Sequence, residues 1–180
     1  FEPQLESQAI MSESNEVAVI TTTQGEMIVE FWPDVAPATV ENFKKLAKEG
    51  YYDGTCFHRV IKGFMIQGGD PLTKDPAKES QWGTGDPGYK IKAEFNDRPH
   101  VRGVLSMARS GHPDSAGSQF FVMLETSSHL DGQYTGFGAL IKGEEILVAI
   151  GETPCGGPQR SSPETRMGVE SIKIVPRDSI

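Results

Sequence analysis

Residues 57–70 read Phe57-His58-Arg59-Val60-Ile61-Lys62-Gly63-Phe64-Met65-Ile66-Gln67-Gly68-Gly69-Asp70. Two β-rich runs, 57–61 and 64–67, flank Lys62-Gly63, which reads as a tight antiparallel hairpin. Alternation then places Phe57, Arg59 and Ile61 on one face and His58 and Val60 on the other, while Met65 and Gln67 alternate with Phe64 and Ile66. An arginine between two apolar positions on one face needs a reason. It is either structural, paired with a core carboxylate or covering apolar surface with its stem, or it is held there for chemistry. The pattern alone leaves both open.

Outward from this hairpin lies a second strand-loop-strand stretch, Leu105-Ser106-Met107-Ala108-Arg109-Ser110-Gly111, a loop from His112 to Gly117, then Ser118-Gln119-Phe120-Phe121-Val122. Phe120 and Phe121 fall on opposite pleats, so one is core and the other meets a different surface. Toward the N-terminus, 17–23 and 27–32 flank Gln24-Gly25-Glu26 as a further hairpin. Pro37 marks the first turn of a helix with Val40, Phe43, Leu46 and Ala47 on one face, which Gly50 stops. Further β-type runs cover 101–108, 119–124 and 136–141, followed by a short helix at 143–150 with Ile146, Leu147 and Ile150 inward. The last strand runs Val169 to Val175. Many short strands and two helices predict a closed antiparallel β-barrel with helices covering its ends.

The 180 residues suit one domain. We read 1–16 as a polar tail, 17–176 as the domain and 177–180 as a C-terminal tail. Within the first segment Met11 reads as the native start and 1–10 as a vector-derived remnant, the other reading being a secreted chain after processing. A cytoplasmic location is thus favoured over a secreted or periplasmic one. Net charge is −8, without a Lys/Arg cluster, which argues against nucleic acid. No apolar run approaches the roughly 18–20 residues of a membrane span. Cys56 and Cys155 are too few for a disulfide framework or a metal site and read as free thiols. Gly83-Thr84-Gly85-Asp86-Pro87-Gly88 matches G-x-G-x-x-G only formally, because Asp-Pro-Gly makes a turn where a dinucleotide site needs a helix start. His58, His100, His112 and His129 show no metal-ligand spacing, and no G-x-S-x-G elbow is present.

The runs FHRVIKGFMIQGGD (57–70), SMARSGHPDSAGSQFF (106–121) and HLDGQYTGFG (129–138) closely resemble the cyclophilin family in order and spacing, and the resemblance extends over roughly residues 17–175. It implies an eight-stranded antiparallel barrel capped by two helices, with an external groove that binds X-Pro segments of peptides and flexible protein clients. It implies no cofactor and no metal. By that resemblance Arg59 matches the family's catalytic arginine, and Phe64, Met65, Phe121 and Leu130 match the proline pocket. Gln67 and Gln119 match groups that position the peptide backbone, and Ala108 matches a groove wall. Arg109 stands where many members have asparagine, Tyr134 where many have histidine, and Lys62 where a turn proline is common. His129 stands where many have the tryptophan linked with tight cyclosporin binding, which implies weakened affinity for that ligand. A monomer is the default state.

These residue types suit rotation about an X-Pro amide. The barrier is about 18–20 kcal/mol because the C–N bond is partly double. No bond breaks, so no nucleophile, general acid or metal is required. In the twisted state the prolyl nitrogen regains its lone pair, to which a fixed guanidinium can donate, an interaction absent from the planar ground state. Arginine, permanently charged and rigid, suits that role better than lysine. The competing reading is a proline-peptide binding module with little turnover; a third, chemistry at Cys56, is disfavoured because that thiol adjoins an apolar strand.

Overall fold

In the computed structural model, which describes residues 15–180, the first two β-rich runs form β1 (Glu16–Thr22) and β2 (Gly25–Phe31). A two-residue connection joins them, with Gly25 at φ +136°. Ala18, Ile20, Met27, Val29 and Phe31 all turn into one core. Glu16, expected in the tail, instead pairs with Pro176 at the strand end and with Lys44 at 3.2 Å. Residues 1–14 of the expected tail, including Met11, lie outside the described residues.

Helix α1 (Pro37–Lys48) begins with Pro37 in its first turn and buries Val40, Phe43, Leu46 and Ala47. Lys45 and Lys48 sit in its last turn, where the helix dipole favours cations. Beyond it, Gly50 takes φ +74°, a conformation that ends the helix at low steric cost. The chain then forms β3 (Arg59–Ile61), β4 (Met65–Gly68), β5 (Val104–Met107), β6 (Phe120–Met123) and β7 (Gly136–Lys142). A second helix, α2 (Glu144–Gly151), follows and buries Leu147 and Ile150. A small hairpin, β8 (Cys155–Gly156) with β9 (Ser162–Pro163), precedes β10 (Val169–Pro176).

Eight strands form one antiparallel sheet in the order β10-β1-β2-β7-β5-β6-β4-β3. The expected closed barrel needs correcting at its seam. β3 and β10 share no ladder. The gap is bridged by segment 54–57, through a lone Cys56–Gly168 bridge, Phe57 N donating to Met167 O (2.8 Å) and Val169 N donating to Thr55 O (2.7 Å). The sheet is therefore strongly curled and stitched shut rather than continuously hydrogen-bonded.

The seam also explains a second correction. Phe57 precedes the strand instead of opening it, and is buried in the main core with Val60 rather than sharing a face with Arg59 and Ile61. Likewise Phe64 lies before β4, so it packs outward beside Met65 instead of inward with Ile66. Two apolar clusters result. One fills the inside of the curl around Phe43, Phe120 and Phe137; the other covers part of the outer face around Met65, Phe121 and Leu130. The adjacent pair Phe120 and Phe121 divides between them as alternation requires.

Candidate active site

Arg59 stands directly opposite Gln67 in the β3–β4 ladder, and Gln67 stands opposite Phe121 in the β4–β6 ladder. This register places a cation, an amide and an aromatic ring side by side on the outer face. Arg59 Nη1 donates to Gln67 Oε1 at 3.3 Å, and Gln67 Nε2 donates to Gln119 Oε1 at 3.1 Å. Gln119 Nε2 donates in turn to Gly83 O (2.9 Å) and Gly85 O (3.0 Å).

The direction of this relay is determined at its far end. Carbonyls only accept, so the NH₂ of Gln119 must face them and its oxygen must face Gln67. Gln67 then presents its own oxygen to Arg59. No carboxylate pairs with Arg59 among the described residues, and its Nε and Nη2 find no protein acceptor there. That removes the core ion pair as the reason for this arginine. Two of its nitrogens remain free to donate to a bound molecule.

The loop that anchors the relay was not legible as part of the site. Asp70 is fully buried, and its carboxylate accepts from Leu72 N (2.8 Å), Gly83 N and Gly85 N (3.2 Å). The G-x-G run thus does cradle an anion with its backbone N–H groups, but that anion is the chain's own aspartate. A Cβ on Gly85 would lie 2.0 Å from Asp70 Oδ1, so the approach requires glycine.

Beside the relay, Met65, Phe121 and Leu130 are buried, with Phe64, Ala108 and Tyr134 packed on them. Phe121 meets Tyr134 edge-on at 5.6 Å, and exposed His129 lies over Phe64 with ring centroids 6.0 Å apart. Arg109 crosses the rim, its guanidinium 4.7 Å from the Tyr134 ring. The structure therefore brings all the residues singled out in the sequence, from Arg59 to Tyr134, onto one external face. It forms an apolar floor with a cation at its edge.

Behind that floor is a second feature the sequence did not suggest. His100, 1% exposed, stacks beside Phe121 at 6.3 Å and bonds to Ser106 Oγ through Nε2 (2.8 Å). Its Nδ1 and backbone N both reach Asp131 Oδ1 (3.0 and 2.7 Å), while Ser127 N donates to His100 O (2.9 Å). The order Ser-His-Asp resembles a hydrolytic triad, but Ser106 is 0% exposed and out of reach of any substrate. Instead, His100 ties the turn carrying His129 and Leu130 to β5. Burial pushes its pKa below the usual histidine value, so the ring is neutral, with Nδ1–H donating to Asp131. The bond from His100 N lowers the Asp131 carboxyl in return. Cys56, in the core, has its thiol pKa pushed up by burial, the opposite of a reactive cysteine.

Comparison with known proteins agrees with this geometry. The family model described as cyclophilin type peptidyl-prolyl cis-trans isomerase/CLD matches residues 17–174. A peptidyl-prolyl cis-trans isomerase of Synechococcus elongatus is 47% identical over 131 residues, covering 73% of this chain and 84% of that protein. Peptidyl-prolyl cis-trans isomerase CYP18-1 of Arabidopsis thaliana is 43% identical over 157 residues, covering 86% and 94%. A crystal structure of a Cryptosporidium parvum cyclophilin type isomerase, in the presence of the dipeptide Ala-Pro, superimposes with a TM-score of 0.79 at 33% identity. It covers 88% of this chain and 98% of that one.

Proposed function

The chain belongs to the cyclophilin-type peptidyl-prolyl cis-trans isomerases, and from that premise we propose that Arg59 drives rotation of the X-Pro bond by donating to the prolyl nitrogen. The observation that carries this reading is the relay. Arg59 is held through one nitrogen by Gln67 and keeps two nitrogens uncommitted beside the apolar floor.

The proline ring lies on Met65, Phe121 and Leu130, flanked by Phe64. The floor holds the ring still while the acyl side of the amide turns. In the planar ground state the nitrogen lone pair is delocalised and offers the guanidinium nothing. In the twisted state it is localised and accepts. The interaction thus grows along the reaction coordinate, which is the condition for raising turnover rather than only affinity. A rate gain of about 10⁵ needs about 7 kcal/mol. A charged hydrogen bond supplies about 1.5–3 kcal/mol of that, and the rest falls to the held ring and partial desolvation. Gln67, Gln119 and the Ala108–Arg109 strand end hold the peptide backbone. Arg59→Ala should cut kcat/KM at least tenfold, and an unchanged value would remove the arginine from this role.

Substrates are X-Pro segments of flexible or unfolded clients, met by a monomer. Cyclosporin binds weakly, since a small, exposed imidazole at position 129 replaces an indole wall. Two unpaired thiols, Cys56 and Cys155, support a reducing, cytoplasmic setting.

A further inference from the structure

The apolar floor is assembled from two kinds of structure. Met65 and Phe121 stand on β4 and β6, which are laddered together, so the sheet fixes their spacing. Leu130 has no such support. It sits in a single 3-10 turn, Ser128–Leu130, and Ser127, which caps that turn, makes no side-chain capping bond. So short a turn has few bonds of its own with which to hold a position against a sheet. Its placement has to come from outside.

His100 supplies it, taking hold on both sides of Leu130. Its carbonyl accepts from Ser127 N (2.9 Å), and its backbone N–H and ring Nδ1–H both donate to Asp131 Oδ1 (2.7 and 3.0 Å). The opposite edge of the same ring accepts from the Ser106 hydroxyl through Nε2 (2.8 Å). Ser106 stands directly opposite Phe121 in the β5–β6 ladder, and the imidazole lies within 22° of parallel to the Phe121 ring. One buried side chain thus spans from the turn that carries Leu130 to the strand pair that carries Phe121. The next anchors along the chain, Arg109 Nε to Gln133 O (2.9 Å) and Met107 N to Thr135 O (3.1 Å), lie beyond the turn.

We propose that His100 is a positioning residue for substrate affinity: through Asp131 and Ser106 it keeps Leu130 in register with Phe121, so that the floor is formed before a proline ring arrives. The proposal rests on the reading of Met65, Phe121 and Leu130 as the proline floor. A floor already ordered in the free protein need not be ordered at the moment of binding, which favours affinity. None of the ring's bonds reaches Arg59, so the step in which the bound amide turns is left to the arginine.

Line-shape analysis of a labelled Ala-Pro peptide reads the dissociation constant and the rate on the enzyme separately. It is applied to wild type, His100→Gln, Asp131→Ala, the double variant and Asp131→Asn, with circular dichroism melts to check folding. His100→Gln leaves an amide oxygen for Ser106 but breaks the ring's bond to Asp131. Its dissociation constant should rise roughly three- to tenfold, with the rate on the enzyme within about twofold of wild type. Asp131→Ala cuts the same tie from the other end and should weaken binding at least as much. The double variant should bind within about twofold of Asp131→Ala alone, because one link has been broken twice. Asp131→Asn keeps an oxygen to accept from His100 and should stay within about twofold of wild type. Unchanged dissociation constants in His100→Gln and Asp131→Ala overturn the proposal. So do losses that multiply in the double variant, or a loss confined to the rate on the enzyme. Asp131 is 33% exposed, so Asp131→Ala and Asp131→Asn decide the matter even if His100→Gln does not fold. A wild type that binds no Ala-Pro peptide would instead remove the reading of the floor, a separate failure.

Discussion

Replacing Gln67 by leucine removes the only protein group that, among the described residues, holds the Arg59 guanidinium. The side chain lies half-buried between Arg59 and Phe121, and leucine keeps the contacts of its first two carbons. The lost bond to Arg59 is 3.3 Å long, near the limit for N–H···O, so its net worth is about 1–2 kcal/mol despite the charge. If that energy serves to keep Arg59 over the prolyl nitrogen, kcat/KM should fall by roughly 5- to 30-fold. Gln119 Oε1 loses its donor, but it is half exposed and regains one from water, so stability should change by less than about 1 kcal/mol, or 2–4 °C in Tm. Exchange spectroscopy on a short Ala-Pro peptide measures the first quantity and a thermal melt the second. Gln119→Leu is the control, since it frees the Gln67 amide to flip without removing it, and should lose only about two- to fivefold. A Gln67→Leu enzyme within twofold of wild type would refute the relay as the device that positions Arg59.

Gly85→Ala should lower stability by about 1–3 kcal/mol, because the new methyl meets Asp70 Oδ1 at 2.0 Å and Leu72 Cγ at 3.0 Å. It should also lower kcat/KM, as the carbonyls that orient Gln119 shift; an unchanged Tm would show that the loop yields freely. Stability should fall on acidification from pH 7.5 to 5. His58 and His100 have folded pKa values depressed below the ordinary 6.5 by burial, so the unfolded chain takes up the extra protons as pH drops through 6.5 toward those lower values. Asp131 and Asp86, held below their usual 3.8, contribute stability present above pH 3.8 and lost as pH falls further. Thermal melts should show a lower Tm at pH 5, less so in His100→Gln, and a flat profile would contradict the burial argument. His129→Trp should tighten cyclosporin binding measured by calorimetry, and equal affinities would remove position 129 as the cause.

Local periodicity made the elements legible where one residue type enforced one conformation. Pro37, the Val40–Phe43–Leu46–Ala47 spacing and Gly50 delimit α1 because each acts within a single turn. Alternation separated Phe120 from Phe121 because β6 is regular there. It failed at Phe57 and Phe64, where pairing stops short of the β-rich composition and the chain turns out of the pleat. The candidate active face was legible through its resemblance to known sequences, from which the proposed roles of Arg59, Gln67 and Gln119 were carried over. Their relay was not, because its anchor depends on Asp70 meeting a loop 13 residues later, a contact that no period encodes. His100 was equally silent: a single histidine in a polar run carries no sign that Ser106, Asp131 and Phe121 will converge on it.

In the proposed mechanism Arg59 acts on the twisted state and not on affinity. Line-shape analysis of a labelled Ala-Pro peptide, titrated with wild type and Arg59→Ala, yields the dissociation constant and the isomerisation rate on the enzyme separately. The dissociation constants should lie within about threefold of each other, since the floor made by Met65, Phe121 and Leu130 is untouched, and the on-enzyme rate should be at least tenfold lower in the variant. A variant that loses binding while its bound peptide still isomerises at the wild-type rate would contradict it.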